Sequence, residues 1–285
     1  LELEAVTKRF GATLAVERLS FRLWKGEFLS LLGPSGCGKT TTLRMIAGFL
    51  LPDEGRIRYR GSDMTQEPPY RRDVGLVFQS YALFPHMSVA DNVSFGLRMR
   101  RAEKAVIRER VRWALELVRL SGFEERRPHE LSGGQQQRVA VARVLAAGAS
   151  LLLFDEPFSN LDAKLRKDMQ MEMRELQRRL GIAAVHVTHD QEEAMIMSDR
   201  LIIINAGRME QEGTPSEIYR SPQSAFVADF IGRCNRLVGR VSLMDQARRR
   251  VRFVLDSGGE VEALWGGTGE PPERGVAFVR PEHVR

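Results

Sequence analysis

The stretch that most constrains this chain runs from Phe28 to Ala47. It opens with the apolar run Phe28 to Leu32, continues as Gly33-Pro34-Ser35-Gly36-Cys37-Gly38-Lys39-Thr40, and resumes an apolar pattern from Thr41 to Ala47. Read locally, this is a strand, a glycine-rich loop and a helix start. Gly33, Gly36 and Gly38 tolerate backbone angles closed to other residues, so the loop can turn its N–H groups inward around a polyphosphate. The helix start adds further donors and a partial positive charge. In a complete GxxxxGK[ST] pattern the lysine, here Lys39, reaches the β- and γ-phosphates, and the hydroxyl, here Thr40, takes a place on Mg²⁺.

With 285 residues, the chain has room for one large domain and a smaller one. Hydrophobic residues make up 43%, yet no uninterrupted apolar stretch approaches the ~18 residues of a membrane span. The chain is therefore expected to lie against a bilayer at most. Leu1 in place of Met reads as a trimmed start, and no basic-then-apolar leader precedes the first strand. Cys37 and Cys234 are the only cysteines, too few for a disulfide framework and suited to a reducing compartment. The net charge is +6, but the doublets Arg71-Arg72, Arg126-Arg127 and Arg178-Arg179 are scattered. No aromatic residues interleave with them as on a base-stacking platform, so nucleic acid is not expected as a partner.

Leu1, Leu3 and Ala5 alternate with Glu2 and Glu4, and Phe21 and Leu23 with Ser20 and Arg22, which predicts an antiparallel lip before the loop strand. Phe10 falls at the turn between these strands, where it can stack on a base. Pro52 to Gly55 reads as a turn into a strand at Arg56 to Tyr59, and Val74 to Phe78 as a strand ending in Gln79. The carboxyl ends of parallel strands line a ligand crevice, so Gln79 can reach metal or water there. From Ser88 to Gly148 the period becomes helical, with Ile107, Val111, Leu115 and Val118 on one face. This insert closes with Leu131-Ser132-Gly133-Gly134-Gln135, where Ser132 can cap a helix whose glycines expose donors to a second anion.

Leu151 to Phe154 is wholly apolar, as a strand buried on both faces should be, and ends in Asp155-Glu156-Pro157. Unpaired carboxylates are costly to bury. Asp155 is therefore predicted to hold Mg²⁺ and Glu156 to face an attacking water. Asp162 can cap the helix bearing Leu165, Met169, Met173, Leu176 and Leu180, a core stripe. Ala183 to Val187 is the next buried strand. At its end His189 is a candidate γ-phosphate contact, while Asp190 and Glu193 have capping-box spacing. Leu201 to Glu212 reads as a hairpin, Thr214-Pro215-Ser216-Glu217 as a helix start, and Gly232 as the end of the first domain. Beyond it four short β patterns run to Val279. So small an all-β piece barely buries a core alone, which leads us to expect that the natural protein continues past Arg285.

Taken together, Gly33 to Thr40, Gln79, Leu131 to Arg138, Leu151 to Pro157, Ser159 to Asp162 and His189 resemble, in order and spacing, the motif set of ABC-type ATPases. The resemblance spans Leu1 to Gly232 and implies an α/β fold: a P-loop NTPase core with an antiparallel β lip and a helical subdomain at about 88–148, in a nucleotide-binding domain of residues 1–232. It implies ATP and Mg²⁺ as cofactors. Gly33, Pro34, Ser35, Gly36, Cys37, Gly38, Lys39, Thr40 and Thr41 would cradle the nucleotide, Phe10 would stack on adenine, and Thr40, Gln79 and Asp155 would surround the metal. Glu156, His189 and Gln79 would serve hydrolysis. Ser132, Gly133, Gly134, Gln135 and Asp162 would meet the nucleotide of a second copy in a head-to-tail homodimer.

Phe78 to His86, Thr188 to Ala194 and Arg280-Pro281-Glu282 resemble a narrower subset, the importers whose ATPase chain carries a C-terminal β-barrel. Residues 233–285 would then be an OB-like barrel of the TOBE type, cut short. The subset implies a peripheral subunit at the cytoplasmic face of the membrane, coupling ATP hydrolysis to solute uptake through two permease subunits. An extracytoplasmic solute-binding protein would be an indirect partner, and the overall wording leans towards polyamines. Leu83, Phe84 and Met87 are expected to be exposed and to receive a permease helix. The alternative is a soluble ABC ATPase of nucleic-acid repair or translation. Such proteins usually carry a coiled-coil, zinc or arm insert, whereas this chain has no CxxC and only a compact segment between Gln79 and Ser132.

Overall fold

The computed structural model describes residues 1–245, 250–265 and 270–283. The chain opens with a hairpin, β1 (Glu2–Phe10) and β2 (Thr13–Arg22), before entering β3 (Phe28–Leu32), whose five residues are all buried. The glycine loop follows and α1 (Lys39–Ala47) leaves it; β4 (Glu54–Tyr59) and β5 (Ser62–Asp63) then return to the hairpin. Together they form an antiparallel lip in the order β2-β1-β4-β5. The alternation read from Leu1, Leu3 and Ala5 breaks inside β1. Ala5 has φ 47°, a bulge after which Val6 and Thr7 are both buried. Gly55 explains the close approach of β4: a Cβ there would lie 2.4 Å from the Glu4 carbonyl oxygen, and β4 begins inside the expected turn.

The second half of the core alternates strand and helix: β6 (Val74–Val77), α2 (Val89–Met99), α3 (Lys104–Leu117), α4 (Gly133–Ala146), β7 (Leu151–Asp155), α5 (Ala163–Leu180), β8 (Ala183–Thr188), α6 (Gln191–Met197) and β9 (Arg200–Asn205). A hairpin with Ala206 and Gly207 at positive φ adds β10 (Arg208–Gly213), followed by α7 (Pro215–Arg220) and α8 (Ala225–Phe230). The central sheet has the order β10-β9-β3-β8-β7-β6, parallel throughout except for the edge strand β10. Alternate residues feed two cores. Phe28, Leu152 and Phe154 pack with α4 and α5, while Leu29, Leu31, Leu151 and Leu153 pack with α1 and the lip. Burying each such side chain contributes about 2 kcal/mol. Met169, Met173 and Leu176 face the first core, as their helical spacing predicts.

The C-terminal strands β11 (Asn235–Asp245), β12 (Arg250–Leu255), β13 (Glu260–Leu264) and β14 (Arg274–Val279) form an antiparallel sheet in the order β13-β12-β11-β14. Among the described residues this sheet is open, consistent with the small β domain, a barrel cut short, expected from the sequence. Arg280 fastens it to the rest. Its buried guanidinium donates to the Ala228 carbonyl at 3.1 Å and the Tyr219 carbonyl at 3.3 Å, and lies 4.4 Å over the Tyr219 ring. Carbonyls at helix ends lack partners within the helix, and Arg280 supplies one.

Candidate nucleotide site

The loop after β3 is held by close backbone contacts on both sides. Gly38 stands at φ 103°, and a Cβ on it would lie 2.2 Å from the Ala15 carbonyl oxygen; one on Gly33 would lie 2.1 Å from the Ile204 carbonyl oxygen. Gly36 has open space but φ 79°. The loop thus fits between the start of β2 and the end of β9 with no room for side chains at two of its glycines. Lys39 is buried, and its Nζ donates to the carbonyls of Gly33 and Pro34, each at 2.8 Å. This puts a cation inside the curve of the loop.

Strand register brings the chemistry to one edge. Leu32 lies opposite Thr188, and Asp155 opposite Val187, so the loop, Asp155-Glu156 and Thr188-His189 emerge side by side. Thr40 Oγ1 donates to Asp155 Oδ1 at 3.0 Å. Burial pushes the Asp155 carboxyl above the usual carboxylate range, and the Thr40 hydrogen bond and Arg44 pull it back only in part. Glu156 has φ 46°, uncommon outside glycine and the kind of strain that gathers at functional sites. Its N–H is tied to the Val187 carbonyl at 3.0 Å, and its Oε2 lies 3.1 Å from His189 Nδ1.

Gln79 is exposed just beyond β6. Asn160 Nδ2 donates to its carbonyl at 2.9 Å, and Arg143 donates to the Tyr81 and Ala82 carbonyls at 3.0 and 2.7 Å, where φ is 61° and 47°. Asn160 and Arg143 were not identified as supports from the sequence. They act on residues 61 to 81 positions away, a separation that leaves no local pattern. Ser132 caps α4 through a full box: its Oγ accepts the Gln135 N–H at 3.3 Å, and Gln135 Oε1 accepts the Ser132 N–H at 3.0 Å. The Gln135 side chain is engaged there, with Gly133 partly exposed and Gly134 buried against Leu165 in the same first turn. Asp162 Oδ1 caps α5 on the Leu165 N–H at 3.0 Å. Phe10 ends β1 opposite Thr13 rather than lying in the turn, and it is 49% exposed.

Three details depart from the sequence reading. Cys37 is buried with its thiol among Leu29 and Leu31 and 3.7 Å from Lys39 Nζ, and burial raises its pKa, so the thiol is shielded rather than open on the loop surface. Asp190 caps α6 on the Glu193 N–H at 3.1 Å, but Glu193 turns inward and completes no box. Leu83, Phe84 and Met87 are half-buried, with the Phe84 ring 4.5 Å from that of Phe95. The exposed apolar side chains nearby are instead Phe49 and Leu51, with Phe49 beside Phe78.

Among the described residues no three His, Cys, Asp or Glu side chains gather as a metal cluster, and no helix is long and apolar enough to cross a membrane. Thr40 and Asp155 offer two hard oxygens. That donor set suits Mg²⁺, which keeps waters and takes phosphate oxygens rather than a full protein cage.

A family model described as ABC transporter matches residues 16–159. Over its whole length the chain is 53% identical to the spermidine/putrescine import ATP-binding protein PotA of Rubrobacter xylanophilus, covering 76% of that protein. It is 52% identical, again over its whole length, to the sulfate/thiosulfate import ATP-binding protein CysA 2 of Chromobacterium violaceum, covering 75% of it. The fold matches the dimeric bacterial ABC transporter cassette MJ0796 with a TM-score of 0.66 at 30% identity, over 75% of this chain and 98% of that one. On the loop, the strand-end acids, the capped glycine helix and these similarities, the chain belongs to the ABC transporter family as an ATP-binding subunit.

Proposed function

We propose that this chain is the ATP-hydrolysing subunit of an importer and works as a head-to-tail pair beneath two permease subunits at the cytoplasmic face of the membrane. The observation that carries the reading is the meeting of three elements at one sheet edge: the phosphate loop with Lys39, the Thr40–Asp155 pair and the Glu156–His189 pair. The loop N–H groups and Lys39 bind the triphosphate, and Phe10 stacks on the base. Thr40, Asp155 and Gln79 would hold Mg²⁺, which would supply charge neutralisation for the triphosphate. Glu156 orients and deprotonates the attacking water, with His189 fixing its carboxylate on one side and the γ-phosphate on the other.

The first turn of α4 is a second anion-binding helix start. In a closed pair Gly133 and Gly134, with Ser132, meet the nucleotide held by the partner's loop, and Asp162 lies at the same seam. MJ0796, similar over most of this chain, is a dimeric cassette. Phe49, Leu51 and Phe78 offer an apolar surface for a permease helix beside Gln79. Residues 1–232 form the nucleotide-binding domain, with the helical subdomain at about 88–148, and 233–285 an accessory β domain. A polyamine is the cargo we favour, from relatives such as PotA. A relative named for sulfate and thiosulfate is equally similar, as follows if cargo is chosen by the permeases and an external solute-binding protein. Calorimetric titration of Lys39→Ala with Mg²⁺-ATP tests the site: tight binding is lost, and an unchanged affinity contradicts the assignment.

A further inference from the structure

We propose that His186 and Glu193 are positioning residues for hydrolysis, a buried relay that fixes the turn bearing His189 to the strand that launches the phosphate loop. The proposal rests on the roles given above to Glu156 and His189.

Ser30, His186, Thr188 and Glu193 are 0, 0, 2 and 5% exposed, in a part of the sheet otherwise built from apolar side chains. Ser30 lies opposite His186 in the β3–β8 register, with its Oγ 3.0 Å from His186 Nδ1. Across the ring, His186 Nε2 is 2.7 Å from Glu193 Oε1, a close polar contact that is not aligned as a hydrogen bond, and neither atom has a hydrogen-bond partner among the described residues. Ser198 donates to Ser30 Oγ. When Ser30 donates its hydroxyl hydrogen bond to Nδ1, the neutral imidazole carries its hydrogen on Nε2, the ring nitrogen beside the Glu193 carboxylate.

Glu193 in turn holds the turn around His189. Its Oε2 accepts from Thr188 Oγ1 at 3.1 Å, that same Oγ1 accepts the Asp190 N–H at 3.0 Å, and Asp190 Oδ1 accepts the Glu193 N–H at 3.1 Å. The His186 ring also packs on Phe28, with centroids 5.7 Å apart, and edge-on against Phe158 at 6.2 Å, two residues past Glu156. A single imidazole therefore touches the strand entering the loop, the segment just past Glu156 and the helix behind His189.

Stability does not account for this arrangement. Desolvating a carboxylate and an imidazole can cost more than their attraction returns, and well-packed apolar replacements of buried ion pairs are often neutral or stabilising. Orientation does account for it. His189 is half-exposed, so its aim at Glu156 depends on the backbone of its turn, and a displacement of about 1 Å at a reacting group can cost roughly 10²-fold in rate.

The test is steady-state Mg²⁺-ATP hydrolysis by the full chain, with a thermal melt for every variant. His186→Phe keeps a ring in the same space, and Glu193→Gln keeps an acceptor for Thr188. His186→Phe leaves the Glu193 carboxylate without its partner, so it is expected to melt below the parent but to stay folded at the assay temperature, while kcat falls at least about tenfold and KM stays within about twofold. Glu193→Leu falls similarly, and Glu193→Gln recovers most of the loss. In a His189→Ala background, adding His186→Phe costs nothing further, because the relay acts only through His189. An unchanged kcat in His186→Phe, while His189→Ala is slow, overturns the relay alone; so do losses that multiply in the double variant. A fully active His189→Ala overturns the underlying reading of the site and the relay with it. Should Glu193→Leu fail to fold, His186→Phe and the double variant still decide.

Discussion

Thr40 Oγ1 donates to Asp155 Oδ1 at 3.0 Å, joining the first turn of α1 to the end of β7 across 115 residues of sequence. The contact sets the loop helix and the strand-end acid at one point, and it does so by burying a carboxylate. That burial raises the Asp155 pKa, so the groups arranged for Mg²⁺ weaken the fold that carries them.

Asp155→Asn separates the two effects. With its folded pKa above the unfolded value, Asp155 binds its proton more tightly in the folded chain, so stability falls as pH rises from the unfolded pKa through the raised folded one. At neutral pH without nucleotide or metal, Asp155→Asn is expected to melt higher than the parent, and the difference shrinks below the carboxylate range. Mg²⁺-dependent hydrolysis falls by roughly 10²-fold or more. Melting curves from acid to neutral pH check this; a difference independent of pH contradicts the assignment.

The two loop glycines Gly36 and Gly38 differ in what they forbid. At Gly36 only the positive φ stands against a side chain, so Gly36→Ala costs about 1–2 kcal/mol. At Gly38 a Cβ also meets the Ala15 carbonyl oxygen at 2.2 Å, so Gly38→Ala costs more and shifts the loop away from β2. Urea unfolding ranks the pair, and equal midpoints would argue against the contact with β2.

The cysteines should label unequally. Cys37 is 4% exposed with a thiol pushed up by burial, whereas Cys234 is partly exposed. Since the thiolate is the reactive form, mass spectrometry after brief alkylation at neutral pH is expected to find Cys234 modified and Cys37 spared, with or without ATP. Equal rates would place Cys37 at the surface of the loop.

What was legible in the sequence was what is local. The loop is eight consecutive residues, and each buried strand is a short apolar run whose last residues reach the crevice, which places Asp155, Glu156 and His189 without knowledge of their neighbours. The bulge at Ala5 was not legible, because it depends on the close approach of Gly55 from another strand. Nor was the inward turn of Cys37, which is set by the backbone angles of the loop rather than by its composition. Asp190 and Glu193 show the limit most plainly. The same three-residue spacing serves a capping box or a carboxylate turned into the core, and here His186, on the preceding strand, decides.

The central claim is that hydrolysis needs two chains, each lending α4 to the loop of the other. Glu156→Gln keeps the size of the side chain and removes its base, so with ATP it should bind, turn over roughly 10² to 10⁴ fold more slowly and accumulate a dimer. Ser132→Arg removes the α4 cap, costing about 1 kcal/mol, and fills the seam; a melt verifies that it still folds. Sedimentation velocity of Glu156→Gln with ATP, alone and combined with Ser132→Arg, is the direct measurement. The account predicts a dimer in the first case and an ATP-binding monomer in the second; a monomer in the first, or an undiminished dimer in the second, would contradict it.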